Sequence, residues 1–406
     1  MINRIKILAV ILLSTLSINK IHCMETNSNI KNRFDSIHIS LLTCSPHDEV
    51  YSLYGHTAIR YQDIAEGVDL AIHYGVFSFN EPYFIPRFIL GMTDYEMGIC
   101  AFSNFCEEYI YYGANVTQQE LNLTPIEKEA IFIALQKNAL PENIKYRYNY
   151  LYNNCTIKAR DILIGNIKDE VIFENRIDNS ISFRDIIHSC LKDHVWARFG
   201  DDLLLGIKAD QKTDRSDQQF LPANLMTDFS HAKIKRNGKI VPLVKSTYTV
   251  VKSSNTEKDR QTDWSPTPTC CSIAILLCIL IIVGIEQKKR IYLWGFDLFL
   301  ALLVGFPGII LTLMIFSQHP TVNLNLQILM LNPMALLIIF HLIRHRKECN
   351  ELQKMWEITA LFLIATLLCS IIQSFAEGMV VLASSLLLRV LYNIRICGKL
   401  TKKNEK

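Results

Sequence analysis

The sequence predicts an α+β domain followed by an all-α bundle of about five transmembrane helices. Short alternating or apolar runs, broken by a few helix signals, occupy residues 37–251, whereas long apolar runs with few charges begin at Thr269. With 406 residues, 50% of them hydrophobic, and a mean hydropathy of +0.18, the chain is too apolar to be wholly soluble.

The first 22 residues have the pattern of a signal peptide or an N-terminal anchor. Arg4 and Lys6 precede the apolar run 7–16, and the small residue Ser17 lies near a possible cleavage point. Residues 17–23 are a poor cleavage context, so both readings stay open. Either one places the following residues outside the cytoplasm.

Residues 25–251 form the predicted α+β domain. Alternating or apolar runs predict strands at 37–44, 57–63, 71–79, 97–102 and 109–117. Helices are predicted at 124–138, from Cys155 onward, and at 182–193. The first of these helices has a capping box formed by Thr124 and Glu127, with Pro125 at its first position.

A polar linker, 252–268, leads into a transmembrane domain, 269–395, and a basic tail, 396–406. The predicted spans are 269–285, 291–316, 326–343, 356–375 and 378–394. The loops 286–290 and 344–354 and the tail carry Lys and Arg, whereas the loop 317–327 carries none. By the positive-inside rule the C-terminus is cytoplasmic, while the α+β domain and the 317–327 loop lie outside. Within span two, Asp297 is expected at the membrane interface.

Charge and cysteine content narrow the function classes. The net charge of +3 is accounted for by the basic loops, so nucleic acid is not an expected partner. The outer His and Cys residues lack metal-ligand spacing, and no cofactor is expected. The domain holds an odd number of cysteines, which predicts at least one free thiol: Cys44, Cys100, Cys106, Cys155 and Cys190. Cys100 and Cys106 are a possible pair, and Cys155 is expected to stay unpaired.

Cys155 lies where two periodic patterns meet. Upstream, four tyrosines from Tyr146 to Tyr152 alternate with other residues, which is typical of a strand. Downstream the spacing is helical, and Asn153 and Asn154 offer a favoured N-cap at the junction. A thiol on the first helical turn, beside an imidazole, acquires a lowered pKa. Judged by position alone, such a cysteine is more often a small buried side chain than a nucleophile.

Two histidines are the candidate partners of this thiol. His56 follows Gly55 at the start of the strand 57–63, and His73 lies in the next strand. If these strands pair, both imidazoles lie near one edge of a cleft, which would give a nucleophile, a base and an orienting group. Either histidine taken alone is compatible with a structural role.

Four segments together resemble the Lnb-type lipoprotein N-acyltransferases of bacteria. They are SLYGHTAIRY (52–61), HYGVFSF (73–79), YNNCTIKARD (152–161) and SQHPTVNLNLQILMLNP (317–333). The domain also resembles the permuted papain-like (NlpC-type) thiol hydrolases, in which the His strand precedes the Cys helix. The resemblance implies that Cys155 is the nucleophile and His56 its base. It implies an orienting role for the position of His73, where the family usually has Asn.

The resemblance implies a reaction at the bacterial inner membrane. An acyl chain would pass from a membrane phospholipid, through a thioester on the cysteine, to the α-amine of the diacylglyceryl-cysteine of a lipoprotein. The outer loop supplies the candidate lipid-binding residues, which could equally be helix caps: His319, Asn323, Asn325 and Asn332.

Two other functions fit the same residues. A membrane-anchored periplasmic cysteine peptidase or amidase would cut cell-wall peptides with the same thiol and imidazole, and would release peptide fragments without lipid. A non-enzymatic envelope binding or assembly module would keep its function in a Cys155→Ala variant.

Overall fold

The computed structural model describes residues 33–47, 49, 52–174, 178–253, 265–344 and 349–404. The predicted signal peptide or anchor, 1–22, and most of the predicted linker lie outside these residues. The chain divides into two compact units. The first comprises the described parts of Met1–Phe84, Thr93–Ser180 and Thr213–Thr262, and the second those of Ile85–Met92, Ile181–Lys212 and Asp263–Lys406. The second unit, which contains the predicted transmembrane domain, therefore includes two segments of the predicted α+β domain (25–251), namely Ile85–Met92 and Ile181–Lys212.

The first unit is built on a seven-stranded sheet with the order β10-β5-β1-β2-β3-β4-β6, in which all neighbours are antiparallel. Its strands are β1 (Ile37–Cys44), β2 (His56–Asp63), β3 (Val68–Val76), β4 (Asp94–Ala101), β5 (Val116–Leu121), β6 (Lys145–Arg147) and β10 (Val244–Val251). A three-stranded sheet contains β7 (Glu170–Ile172), β8 (Lys233–Arg236) and β9 (Lys239–Pro242).

The α-helices, in chain order, are α1 (Phe84–Ile89), α2 (Phe102–Tyr111), α3 (Pro125–Ala139), α4 (Cys155–Gly165), α5 (Phe183–Cys190), α6 (Val195–Leu204), α7 (Arg215–Gln218), α8 (Pro222–His231), α9 (Pro268–Lys289), α10 (Trp294–Ile315), α11 (Ala335–Arg344), α12 (Cys349–Cys369) and α13 (Met379–Asn404). A mixed sheet domain followed by apolar helices confirms the predicted fold class.

Helices cover both faces of the large sheet. On one face, Leu41 and Ile59 join a buried core with Ile131 of α3 and Leu163 of α4. On the other, α2 buries Phe105 against residues of β1 to β3. Two buried layers hold the central strands rigidly, so side chains at the strand ends keep fixed positions.

Two predicted strands of this unit are wrong in extent. The run 109–117 is the end of α2, a turn and the start of β5, because Phe105 and Tyr109, four residues apart, are buried on one helical face. The alternating tyrosines form a strand only at Lys145–Arg147. Beyond it, the Asn149 Oδ1 accepts hydrogen bonds from the backbone N–H groups of Leu151 and Tyr152, which turns the chain.

Among the described residues of the second unit, four helical segments are long and apolar enough to cross a membrane: Pro268–Lys289, Trp294–Ile315, Leu352–Cys369 and Met379–Cys397. The predicted continuous span 326–343 is wrong. It consists of a 3-10 turn, Leu326–Leu329, and the ten-residue helix α11. Pro333 lies between them, and proline lacks the N–H group that a continuous helix needs.

The broken segment packs against the middle of α10. A Cβ built on Gly308 would lie 2.5 Å from the carbonyl carbon of Asn332, and one on Gly305 would lie 2.5 Å from Leu336 Cδ2. Both glycines therefore allow the irregular backbone to approach α10 closely. Non-helical backbone at membrane depth is tolerated where protein covers it.

Buried charges tie three membrane helices together. Arg389 of α13 donates to Glu286 of α9 at 2.5 Å and to Asp297 of α10 at 2.8 Å. The Asn393 side chain donates to Asp297 as well, at 2.9 Å. Asp297 is only 2% exposed, because Arg389 supplies a buried partner for its charge, and its position in the first turn of α10 leaves the interfacial depth a prediction.

Candidate active site

Cys155 is the first residue of α4, and its backbone position is fixed by the preceding asparagine. The Asn154 Oδ1 accepts hydrogen bonds from the N–H groups of Thr156 and Ile157, both at 3.0 Å, which confirms the predicted N-cap. Its Nδ2 donates to two backbone carbonyls, including that of Phe220 at 2.8 Å. Because Asn154 is buried and uses both ends of its amide, the start of α4 has little freedom.

A buried pair of threonines ties this helix start to the sheet. The Oγ1 atoms of Thr57 on β2 and Thr156 on α4 are 3.1 Å apart, and both residues are fully buried. Their sequence neighbours are His56 and Cys155. The same contact therefore holds the imidazole beside the thiol.

The two histidines meet because β2 and β3 pair in antiparallel register, with Ala58 opposite His73. The His56 Nε2 lies 3.2 Å from the His73 Nδ1, so one ring donates to the other, according to their tautomers. Phe105 of α2 packs edge-on against His73, with ring centroids 5.9 Å apart. The structure thus brings together Cys155, His56 and His73, the three residues that the sequence singles out.

The thiol and the imidazole shift each other's ionisation. Burial alone would raise the pKa of Cys155, but the charge of His56 and a hydrogen bond from it outweigh this effect and lower the pKa below its ordinary value. Burial alone would lower the pKa of His56, but the Cys155 thiolate raises it. Both shifts favour a thiolate beside an imidazolium, which is the reactive form of a nucleophilic cysteine.

The other cysteines of the α+β part lack this environment. All five are free thiols, as expected for Cys155: Cys44, Cys100, Cys106, Cys155 and Cys190. Burial raises the pKa of Cys100 to about 11, and it also raises the pKa of Cys44, Cys106 and Cys190. Within this group, only the pKa of Cys155 is shifted toward the thiolate.

Two glycines permit the backbone geometry of the site, for different reasons. A Cβ built on Gly98 of β4 would lie 2.6 Å from the His73 Nε2 and 2.7 Å from Val76 Cγ2. Gly75 has a φ of +93°, a backbone conformation that favours glycine, and a Cβ built on it would meet the Cβ of Cys155 at an ordinary contact distance of 3.9 Å. Gly98 therefore leaves room for the His73 ring, whereas Gly75 is required by its backbone conformation.

Gly98→Ala is expected to displace the His73 ring, which should lower any activity that depends on His56 by roughly tenfold to a hundredfold. Overpacking of this kind also destabilises a fold by about 1–3 kcal/mol. Thermal unfolding and turnover of the variant measure the two effects. Gly165→Ala is the matched control, because its Cβ would meet nothing within 4 Å. Equal turnover in the two variants would contradict this role of Gly98.

The sequence does not single out every residue that shapes this site. Thr57 could have been recognised from the sequence, because it follows His56 directly. Gly98 and Phe105 could not, because they reach His73 only through the pairing of β3 with β4 and the packing of α2.

The four outer-loop candidates lie in the second unit and differ in environment. Asn325 caps the 3-10 turn, donates to the Leu203 carbonyl at 2.7 Å and accepts from Gln373 Nε2 at 2.9 Å, as the capping alternative expects. Asn323 is exposed. The side chain of Asn332 donates a hydrogen bond to the Leu329 carbonyl. His319 lies against Phe88, with ring centroids 6.2 Å apart.

An α+β domain with a partly buried Cys-His-His cluster, joined to helices that can cross a membrane, defines a membrane-anchored protein with a thiol site. Two family models match the chain: the Lnb N-terminal periplasmic domain over residues 26–179 and the Lnb transmembrane domain over residues 259–401. Together these matches cover well over half of the chain. It therefore belongs to the Lnb family, as its motifs predict. No curated protein and no solved structure matches the chain.

Proposed function

We propose that this protein is a lipoprotein N-acyltransferase of the bacterial inner membrane. It moves an acyl chain from a phospholipid to the α-amine of the diacylglyceryl-cysteine of a lipoprotein, through a thioester on Cys155. The α+β domain is periplasmic and the C-terminus cytoplasmic. The observation that carries the proposal is the thiol with a lowered pKa at a capped helix start, beside His56, in a chain of the Lnb family.

In the first half-reaction, the Cys155 thiolate attacks the carbonyl carbon of a phospholipid ester. The resulting oxyanion forms at the positive end of the α4 dipole, where the backbone N–H of Cys155 donates to it, since Asn154 already binds the N–H groups of Thr156 and Ile157. When the ester C–O bond breaks, the imidazolium of His56 gives its proton to the departing oxygen. A lysophospholipid leaves, and an acyl thioester remains on Cys155.

In the second half-reaction, the lipoprotein amine attacks the thioester carbonyl. His56, now neutral, accepts a proton from the attacking nitrogen, and the C–S bond breaks. The products are an amide and the original thiolate-imidazolium pair. His73 is a positioning residue: its 3.2 Å contact with the His56 Nε2 sets the tautomer and orientation of that ring.

An exposed apolar segment supports a lipid substrate. Residues 85–92 belong to the second unit, and Ile85, Phe88 and Met92 are 70%, 43% and 42% exposed. The backbone N–H of Gln318, three residues beyond the end of α10, donates to the Leu90 carbonyl at 2.9 Å. This contact ties the segment to that end of α10, which faces the outer leaflet in the proposed orientation, so that its apolar side chains can enter the leaflet. A soluble peptide substrate would not require it.

Replacing both Ile85 and Phe88 by Glu is expected to lower acyl transfer from bilayer phospholipid by about tenfold or more, because each lost side-chain burial costs about 1.5–3 kcal/mol. Acylation of Cys155 by a water-soluble short-chain ester should stay unchanged. Ile133→Glu on α3 is the control, since Ile133 is 55% exposed outside this segment. An equal loss on both esters would mean that the segment does not act through the bilayer.

The proposed transfer is tested with purified full-length protein, a phospholipid that carries a labelled acyl chain, and a diacylated lipopeptide with a free N-terminal cysteine amine. The expected product is the lipopeptide with a labelled amide-linked chain. A lipopeptide with an acetylated amine should gain no label. Release of stem-peptide fragments from peptidoglycan, with no acylated lipopeptide, would instead favour the amidase.

His319 and Asn323 remain proposed contacts of the phospholipid headgroup, and Asn325 and Asn332 are proposed to support the loop that carries them.

A further inference from the structure

A cavity of about 180 Å³ lies inside the second unit, between α10, α11, α12 and α13. Its walls are mainly aliphatic and aromatic. Asp297 and Arg389 line it near the start of α10, where their charges are already paired with each other. Asn332 lines it further along, at the level where its backbone packs on Gly308. The cavity therefore follows α10 from near its start toward its middle.

The cavity opens sideways between α11 and α12. Four of its lining residues are large, apolar and strongly exposed: Met334 (61%), Leu337 (48%), Ile358 (55%) and Phe362 (41%). They lie on or beside helices of the membrane domain, where the surrounding solvent is lipid hydrocarbon. An acyl chain is therefore the ligand class that matches both the walls and the surroundings of this opening.

Trp356 supplies a polar group in this apolar site. It lines the cavity, is only 4% exposed, and its indole N–H has no hydrogen-bond partner among the residues that the structure describes. A buried donor without an acceptor is unfavourable, so an acceptor is expected from outside the chain. Trp356 lies near one end of the span Leu352–Cys369, at the depth where tryptophan meets the ester groups of phospholipids.

We propose that this cavity binds one acyl chain of a phospholipid, and that the ester carbonyl of that chain accepts a hydrogen bond from Trp356. The lipid comes from the leaflet on the side of the basic loops, which is cytoplasmic in the orientation proposed above. The site is independent of the acyl donor at Cys155. It holds a resident lipid between α11 and α12, where the broken third segment leaves the bundle incompletely packed.

Quenching of Trp356 fluorescence by phospholipid brominated on its acyl chains tests the site. The full chain carries Trp196→Phe, Trp264→Phe and Trp294→Phe, is reconstituted in bilayers, and is titrated with increasing mole fractions of brominated lipid. A second variant keeps only Trp294 as the reference. For a bound lipid, half-maximal quenching of Trp356 should occur at a severalfold lower mole fraction than for Trp294, and Ala301→Phe, which fills the cavity, should remove this difference.

A measurement of the lipid itself covers the case in which Ala301→Phe fails to fold. In native mass spectra from mild detergent, the wild type should retain one phospholipid, and Trp356→Phe should retain about fivefold less, because one hydrogen bond is lost. A retained fatty acid in place of a phospholipid would overturn the assignment of the ligand. Equal quenching of Trp356 and Trp294, or equal lipid retention by Trp356→Phe and the wild type, would overturn the site.

Discussion

Cys155→Ala is expected to abolish acyl transfer, with a loss on the order of 10⁴-fold or more, while the protein stays folded. The variant has no atom that can form the thioester, so both half-reactions stop. The fold should persist because the start of α4 is held by the Asn154 cap and by the contact between Thr57 and Thr156, and neither of these hydrogen bonds uses the Cys155 sulfur. Labelled-chain transfer to the lipopeptide and thermal unfolding measure the two parts of this expectation.

Cys106→Ala is the matched control for this variant. Cys106 is also a free, half-buried cysteine of the first unit, but burial raises the pKa of its thiol. Its replacement should leave transfer unchanged. Full transfer by Cys155→Ala would refute the thioester mechanism.

His56→Gln is expected to lower the rate of Cys155 acylation by roughly 10²–10⁴-fold at neutral pH. The wild-type thiol has a pKa below its ordinary value because of His56, and burial alone would raise it. Without the imidazole, the thiolate fraction at neutral pH falls. The departing lysophospholipid oxygen also loses its proton donor.

The pH dependence gives the sharper readout of this variant. In the wild type, alkylation of Cys155 by iodoacetamide should rise with pH below the ordinary thiol pKa, since the thiolate forms early. Turnover should fall again at higher pH, as His56 loses the proton that the leaving group needs. In His56→Gln the rise in alkylation should move to higher pH.

His38→Gln should keep the wild-type profile, because His38 lies on β1 and pairs with Glu120 instead of with the thiol. An unshifted alkylation profile in His56→Gln would show that another group lowers the pKa of Cys155.

Local signals account for what the sequence predicts well. The predicted strand 37–44 has the bounds of β1, and the capping residues Thr124 and Asn154 begin α3 and α4 as expected. Each of these features depends on contacts within a few residues. The sequence predicts a strand over part of α2 because the aromatic residues of this helix also suit strands, and only its packing on the sheet decides between the two. The third membrane segment fails as a span because its irregular part is stabilised by neighbours such as Gly308.

In the candidate site, too, the short-range contacts follow from the sequence and the long-range ones do not. His56 and His73 lie on adjacent strands of one hairpin, so their proximity follows from a short-range pairing. Cys155 is almost a hundred residues away, and its approach to β2 depends on the buried Thr57–Thr156 contact. No periodic pattern encodes such a contact. The proximity of Cys155 to the histidines is predicted by the order of the motifs, through the family resemblance, and not by periodicity.

The measurement that tests the central claim most directly is the intact mass of purified protein, wild type beside Cys155→Ala, after incubation with phospholipid in detergent. We predict an added fatty-acyl mass on the wild type alone, removable by hydroxylamine as a thioester is. The claim is contradicted if folded wild type gains no such mass with any of several phospholipids, or if Cys155→Ala gains it equally.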